Sequence, residues 1–254
     1  MKSHFYFLHD ALMCIFADVT NLEASPAPYV DFHTHRLIEG SETITVVSMN
    51  GIPDREALFY TAGYHPWWLG LVLTSGQLET IRNLYRNEAS CLGIGECGLD
   101  ALKGLPLDLQ EKNFIMQLEL ANSCQAPVVI HCVRAFDRLL RLAKTYKKTP
   151  WVVHGFVRNK VLARQVLDAG LYLSVAPENR MNSSFSETLA YLPVEDIFLE
   201  TDSDRSLSIQ QRYNIFARLR SLEENKLKEI LFDNFKRFFA QKWKFPHGWK
   251  GQNC

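Results

Sequence analysis

The 254-residue chain is expected to fold as an α/β protein, a TIM-like (β/α) barrel, and three observations lead there. Eight short apolar runs alternate with longer amphipathic segments, the pattern of βα units around a buried parallel sheet. A chain of this length that is 47% hydrophobic can bury one sizeable core, so one domain is the default. Finally, five of the runs end in histidine or acid: His33 and His35 after the first, then Glu96, His131, His154 and Asp202.

Residues 1–28 read as an N-terminal extension, and the barrel as residues 29–254. The opening "MKSHFYFLHDALMCIFADV" is apolar, but His9, Asp10 and Asp18 interrupt it and "NLEASPAP" makes a poor cleavage site. It is too short and too interrupted to span a membrane. Phe5, Leu8, Leu12 and Ile15 fall at helical spacing, so a short helix covering part of the barrel is one reading of it.

The strands are "YVDF", "ITVVSM", "LFYTAGY", "CLGIGE", "PVVIHC", "WVVHG", "LYLSVA" and "DIFLETD". Helical stretches include residues 107 to 125, 136 to 147, 159 to 168 and 207 to 241, with "DAG" ending one of them through Gly170. "RLIEGSE", after the first strand, is shorter than the dozen or so residues a crossover helix needs. The first helix of the barrel is therefore expected to be missing.

Lys plus Arg and Asp plus Glu each number 28, so no global basic field advertises nucleic acid or an acidic membrane. A polyanionic substrate would have to be held locally, by metals or a few cationic side chains. The six cysteines show neither CxxC pairs nor the density of a secreted disulfide scaffold, which points to a reducing, cytoplasmic setting. A monomer is the working expectation, with no membrane partner.

"VDFHTH" places two histidines at i and i+2, on one face of a strand. Any one such residue has a bland alternative, since a buried histidine can hydrogen-bond within a core and a strand-end Asp can cap a helix. Five strand ends of the same chemical type aim at one rim, the catalytic face of a (β/α)₈ barrel. Imidazoles and carboxylates bind borderline divalent ions, and a carboxylate such as Glu96 can bridge two of them. Such a pair clamps the attacking and leaving oxygens of an in-line displacement at phosphorus. The expected cofactor is two divalent ions, Zn, Mn or Mg, mixed N and O donors favouring Zn, Mn or Co over Mg.

"DFHTH", "TAGYHPWW", "GIGECGLD", "PVVIHC", "WVVHGF", "ETDSD" and "NFKRFF" resemble, in order and spacing, the TatD family of metal-dependent deoxyribonucleases in the amidohydrolase superfamily. The resemblance runs from about Tyr29 to Phe239. It implies a barrel hydrolase of DNA phosphodiester bonds, trimming ends or single strands, as a 3′–5′ exonuclease would. Residue by residue it implies His33, His35 and Asp202 as ligands of one metal, His131 and His154 of the second, and Glu96 as the bridge. Asp202 would orient or deprotonate the attacking water, while His65 and Arg134 would contact substrate. Three positions depart from the family pattern: Asp204 where Pro often follows "ETDS", Ala101 where an aromatic often follows "GLD", and Val133 with Arg134 where Arg commonly comes one residue earlier.

Trp67 and Trp68 each admit a base-stacking and a packing role; packing is the expectation for Trp68 and Trp67 is even between them. Cys97 and Cys132 alternate with inward-facing neighbours and are expected to be buried rather than ligands. The mixed charges from 218 to 244 read as a solvated helical face. An amidohydrolase cutting a small-molecule amide or ester is the alternative within enzymes, and a catalytically silent scaffold the alternative outside them. Glu rather than a carboxylatable Lys in "GIGE" favours the nuclease-like branch by resemblance.

Overall fold

The computed structural model describes residues 27–37, 42–51, 53 and 57–243. The extension read from residues 1–28 thus lies almost wholly outside the described residues. Eight strands follow in chain order: β1 (Tyr29–Thr34), β2 (Thr43–Asn50), β3 (Phe59–Gly63), β4 (Cys91–Asp100), β5 (Val128–Val133), β6 (Trp151–Val153), β7 (Tyr172–Val175) and β8 (Ile197–Leu199). Each pairs in parallel with the next, in the order β1 to β8. The ring closes just beyond β8, where the Asp202 N–H donates to the His33 carbonyl at 2.9 Å and the His35 N–H to the Asp202 carbonyl at 3.3 Å. The residues that close the barrel are thus the ones expected to carry its chemistry.

Among the described residues no helix precedes α1 (Ser75–Asn87), in keeping with the missing first helix. Residues 51–58, between β2 and β3, are just as short a link as residues 35–42, so the second crossover also lacks room for a full helix. The other helices are α2 (Leu107–Cys124), α3 (Phe136–Tyr146), α4 (Lys160–Asp168), α5 (Ser183–Tyr191), α6 (Ile209–Arg220) and α7 (Glu224–Phe238). The stretch 207 to 241 is therefore two helices. Ser221 breaks it in the left-handed region, φ 49°, and the Leu222 N–H reaches back to the Ala217 carbonyl at 2.9 Å, a close that no glycine announces. Side-chain caps start several helices: Thr74 and Ser208 each form a capping box with the glutamine three residues on, and Asn159 and Asn182 cap α4 and α5.

Two apolar clusters result. One fills the space between strands and helices, with Ile94, Ile130 and Val153 facing Phe114, Leu118 and Leu139. The other gathers Phe32, Leu92, Val129, Val152 and Phe198 with Phe235, Phe238 and Phe239 from the end of α7. Phe32 stacks on Phe198 at 4.0 Å, and Asn234 donates to the carbonyls of Val194 and Ile197 at 2.7 and 2.9 Å, tying α7 to the start of β8. The face from 218 to 244 is only partly solvated: Lys228 is buried with its ammonium 4.2 Å from the Tyr29 ring centre. No helix among the described residues is long and apolar enough to cross a membrane.

Candidate metal centre

The "GIGECGLD" stretch is all of β4 but its first two residues, and its glycines set where Glu96 points. Gly95 and Gly98 have φ of 138° and 146°, and a Cβ there would lie 2.4 Å from the Val129 carbonyl oxygen and 2.1 Å from that of His131. Only glycine tolerates that backbone at that approach. The β4–β5 register shifts between Ile94 and Cys97, around Glu96.

Glu96 is buried at the centre of the cluster. Its Oε1 lies 2.9 Å from His131 Nδ1, 2.6 Å from His154 Nε2 and 2.9 Å from His65 Nε2. Its Oε2 lies 3.3 Å from both His33 Nε2 and His35 Nε2. Asp202 Oδ1 approaches the same two imidazoles, at 3.3 Å from His35 and 4.0 Å from His33. One carboxylate thus divides its oxygens between two sets of histidines. The side chains of His33 and Glu96 are 1% and 2% exposed, those of His35 and Asp202 27% and 38%, so the site opens to solvent along His35 and Asp202.

The donors fit a divalent cation. His33 Nε2 and Glu96 Oε2 are buried without a well-directed hydrogen bond among the described residues, although buried polar atoms are rarely left so. Three overlapping triplets, His33–His154–Asp202, His33–His35–Glu96 and His65–Glu96–His131, each hold donor atoms within 4.8 Å of one another. All are imidazole nitrogens and carboxylate oxygens, suited to borderline divalent ions.

The electrostatics follow from this crowding. Burial favours the neutral form of Glu96, but the His154 charge and the hydrogen bonds of His131 and His154 hold its carboxyl well below the usual range. Burial likewise opposes charge on His35, yet its bonds to Asp202 and Glu96 raise its pKa to about 9. His154 is also pushed well up, burial being overcome by Glu96 and Glu200. Asp202 is held low, burial being overcome chiefly by His35. Protons on His35 and His154 thus balance the two carboxylates, and a cation taking those lone pairs must displace them.

Three acids that sequence reasoning assigned no role stand behind the donors. Asp100, last residue of "GLD", accepts from His131 Nε2 at 3.1 Å, from Trp67 Nε1 at 2.6 Å and from the Leu102 and Lys103 N–H groups. Glu200, in "ETD", lies 3.6 Å from His154 Nδ1 and accepts from the Gly155 N–H at 2.7 Å. Asp31 accepts from Thr201 N–H and Oγ1 at 2.9 and 2.7 Å, pinning the turn that carries Asp202. Their positions within the quoted motifs were a usable signal, since carboxylates commonly orient ligating histidines from behind. Asp204 adds a fourth hold: it pairs with the fully buried Arg212, whose Nη1 donates to the Pro177 carbonyl at 3.0 Å.

His65 is buried against Glu96. The Trp67 N–H donates to His65 Nδ1 at 3.1 Å, so the proton of the neutral ring sits on Nε2, where it is a donor and not a lone pair. Burial also keeps this ring neutral by lowering its pKa. Arg134 is exposed just past β5, in the left-handed region at φ 50°. Cys97 and Cys132 are buried in the outer core, away from the donors. The packing expected of Trp68 is overturned, since it is 55% exposed beside His65 and His35, while Trp67, left even between the two roles, is held by Asp100 and by Lys103 3.7 Å above its ring. Paired aromatics after a turn do not reveal which of them faces out.

Residues 40–240 match the family model for TatD related DNase. The chain belongs to the TatD-related DNase family. It is 36% identical over 149 residues to a 3′-5′ ssDNA/RNA exonuclease TatD of Klebsiella pneumoniae (strain 342), 56% of each chain, and so spans little more than half of that relative's length. With a protein of the same name from Erwinia billingiae (strain Eb661) it is 32% identical over 189 residues, 67% of each chain. The TatD homolog YJJV from Escherichia coli K12 superposes with a TM-score of 0.69 at 21% identity, covering 84% of this chain and 98% of that one. A TatD family hydrolase from Entamoeba histolytica gives 0.67 at 15% identity, covering 84% and 99%. At those identities the two structures speak for the fold, a TatD barrel.

Proposed function

We propose that this TatD-family chain is a metal-dependent phosphodiesterase that trims single-stranded ends of DNA, in the 3′-to-5′ sense of the relatives' name. The observation that carries this reading is the division of the Glu96 carboxylate between His131 and His154 on one side and His33 and His35 on the other. That is the arrangement two adjacent cations would use, with Asp202 completing the His33 and His35 set. Two bound divalent ions, Zn, Mn or Mg, would supply a hydroxide near neutral pH and offset charge building on the phosphoryl oxygens.

The chain's own side chains do the rest. Asp202, low in pKa and at the open edge, accepts the proton of the attacking water. His65, whose Nε2–H faces Glu96 Oε1 at 2.9 Å here, would offer that N–H to a phosphate oxygen once metal engages the carboxylate, and Arg134 meets the substrate from the β5 loop. Asp100 and Glu200 hold the His131 and His154 rings in place. All these groups come from one chain, so a monomer suffices. Cys91, Cys97, Cys124 and Cys132 are free, which supports a reducing, cytoplasmic setting.

The test is hydrolysis of single-stranded oligonucleotides labelled at either end, by protein stripped with chelator and restored with Mn, Zn or Mg, alongside a small aryl ester and an amide. Restored protein should release mononucleotides from the 3′ end. Cleavage of the ester or amide alone would favour a small-molecule hydrolase, and no turnover with any metal a silent scaffold.

A further inference from the structure

The rim around the site is divided. Loops after β1, β3 and β4 expose Leu37, Trp68, Leu71, Val72 and Leu102. Those after β5 to β8 carry Arg134, Arg158, Arg180 and Arg205, three of them exposed and Arg158 half-buried. Of the large hydrophobics in these latter loops, only Val157 among the described residues is exposed. Of the acids in these loops, Glu200 is buried and Asp204 is paired with Arg212, while Glu178 is exposed two residues before Arg180. A chain with zero formal net charge thus gathers four arginines on one arc of its mouth and exposed apolar side chains on the other, where the cations among the described residues are Arg36, donating to the Asp204 carbonyl, and Lys103, over the Trp67 ring.

Trp68 is the piece nearest the chemistry. Its backbone N–H donates to the His65 carbonyl at 3.2 Å, and this turn brings the indole back over the His65 ring, centres 4.8 Å apart at 39°. It meets His35 edge-on at 6.5 Å. One imidazole therefore separates a 55% exposed indole from Glu96. Exposed aromatics near a cationic groove are how single strands are held, because every base offers a π face and the backbone supplies the charge. A duplex buries those faces.

Resting on the nuclease reading above, we propose that Trp68 is the stacking platform for the base next to the scissile phosphate, and that Arg158, Arg180 and Arg205 receive the phosphates of the strand leading away. The ligand is thus a single-stranded or frayed nucleic-acid end, selected by an unpaired base.

The test measures KM and kcat for wild type, Trp68→Ala and Trp68→Phe on a single-stranded oligonucleotide and on one whose base next to the cut is replaced by an abasic analogue. Trp68→Ala should raise KM about ten- to hundredfold with kcat and metal content kept, and Trp68→Phe should recover most of the loss. The abasic analogue should cost wild type a similar factor and Trp68→Ala nothing further. In parallel, Arg180→Gln with Arg205→Gln should flatten the salt dependence of log KM by roughly 0.7 for each phosphate no longer neutralised. Equal KM values for wild type and Trp68→Ala, or an abasic penalty that persists in Trp68→Ala, would overturn the platform while leaving the nuclease reading intact. A wild type that cuts no oligonucleotide under any metal would instead remove the reading itself, and the platform with it.

Discussion

His33 Nε2 and Glu96 Oε2 lie 3.3 Å apart, both buried, and neither makes a well-directed hydrogen bond among the described residues. Two polar atoms that close and unsatisfied point at a shared third partner, and a cation satisfies both. Glu96→Gln removes the charge while nearly keeping the shape. Metal retained after dialysis, measured by mass spectrometry, should fall by more than about tenfold, since a neutral amide is a far weaker donor to a divalent ion. The melting temperature of stripped protein should stay within a few degrees of wild type, because the core is supplied by the apolar strand residues. A variant that unfolds yet holds its metal would contradict the role given to Glu96.

Metal uptake should depend on pH with a definite sign. His35 has its pKa raised to about 9, and His154 is raised too, so at pH 7 both carry protons that ligation must expel. Affinity should therefore rise from pH 7 to 9, by about tenfold per pH unit for each proton released. Competition against a chromophoric chelator at pH 7, 8 and 9 checks this. A flat profile would mean that ligation expels no protons from the imidazoles.

Asp100 acts on the site through His131. Asp100→Asn removes the charge of a carboxylate whose Oδ2 accepts from both His131 Nε2 and Trp67 Nε1 while its Oδ1 accepts from two backbone N–H groups, so an amide cannot serve both sides as acceptor. Metal affinity should drop about 10- to 100-fold, the usual range for carboxylates behind a ligating histidine. The same chelator competition at a single pH reads it, and an unchanged affinity would make Asp100 a purely structural residue.

Much of this was legible in the residues. Eight apolar runs gave the strands because buried parallel strands need near-continuous hydrophobicity, and His33, Glu96, His131, His154 and Asp202 stood out by closing them. What stayed hidden depended on contacts distant in sequence. The helix break at Ser221 carries no glycine, so nothing local announces its left-handed backbone. Asp31 and Thr201 are 170 residues apart, and their bond exists only because β1 and β8 close the ring. Trp68 looks like Trp67 until the turn after β3 sets one outward and hands the other to Asp100.

The turn carrying Asp202 should owe its stability to Asp204 and Arg212. Arg212 is fully buried, so Asp204→Ala leaves a buried charge without its carboxylate, a loss of about 3 kcal/mol at the low end because Asp204 itself is partly exposed. For a chain of this size that lowers the melting temperature by roughly 5–10 °C. The exposed pair Arg164–Asp168, 3.6 Å apart, is the control: Asp168→Ala should move it by less than about 2 °C. Equal shifts in the two variants would mean that burial of Arg212 does not set the cost.

The most direct measurement is turnover of a short single-stranded oligonucleotide by wild type and Asp202→Asn, each stripped, restored with Mn, and assayed for bound metal in the same sample. Wild type should lose activity on stripping and regain it on restoration. Asp202→Asn should be slower by about 10²- to 10⁴-fold at matched metal content, the usual worth of a positioned base. Unchanged turnover in Asp202→Asn at full occupancy would exclude Asp202 as the base, and activity that survives the chelator in wild type would contradict the metal-dependent mechanism altogether.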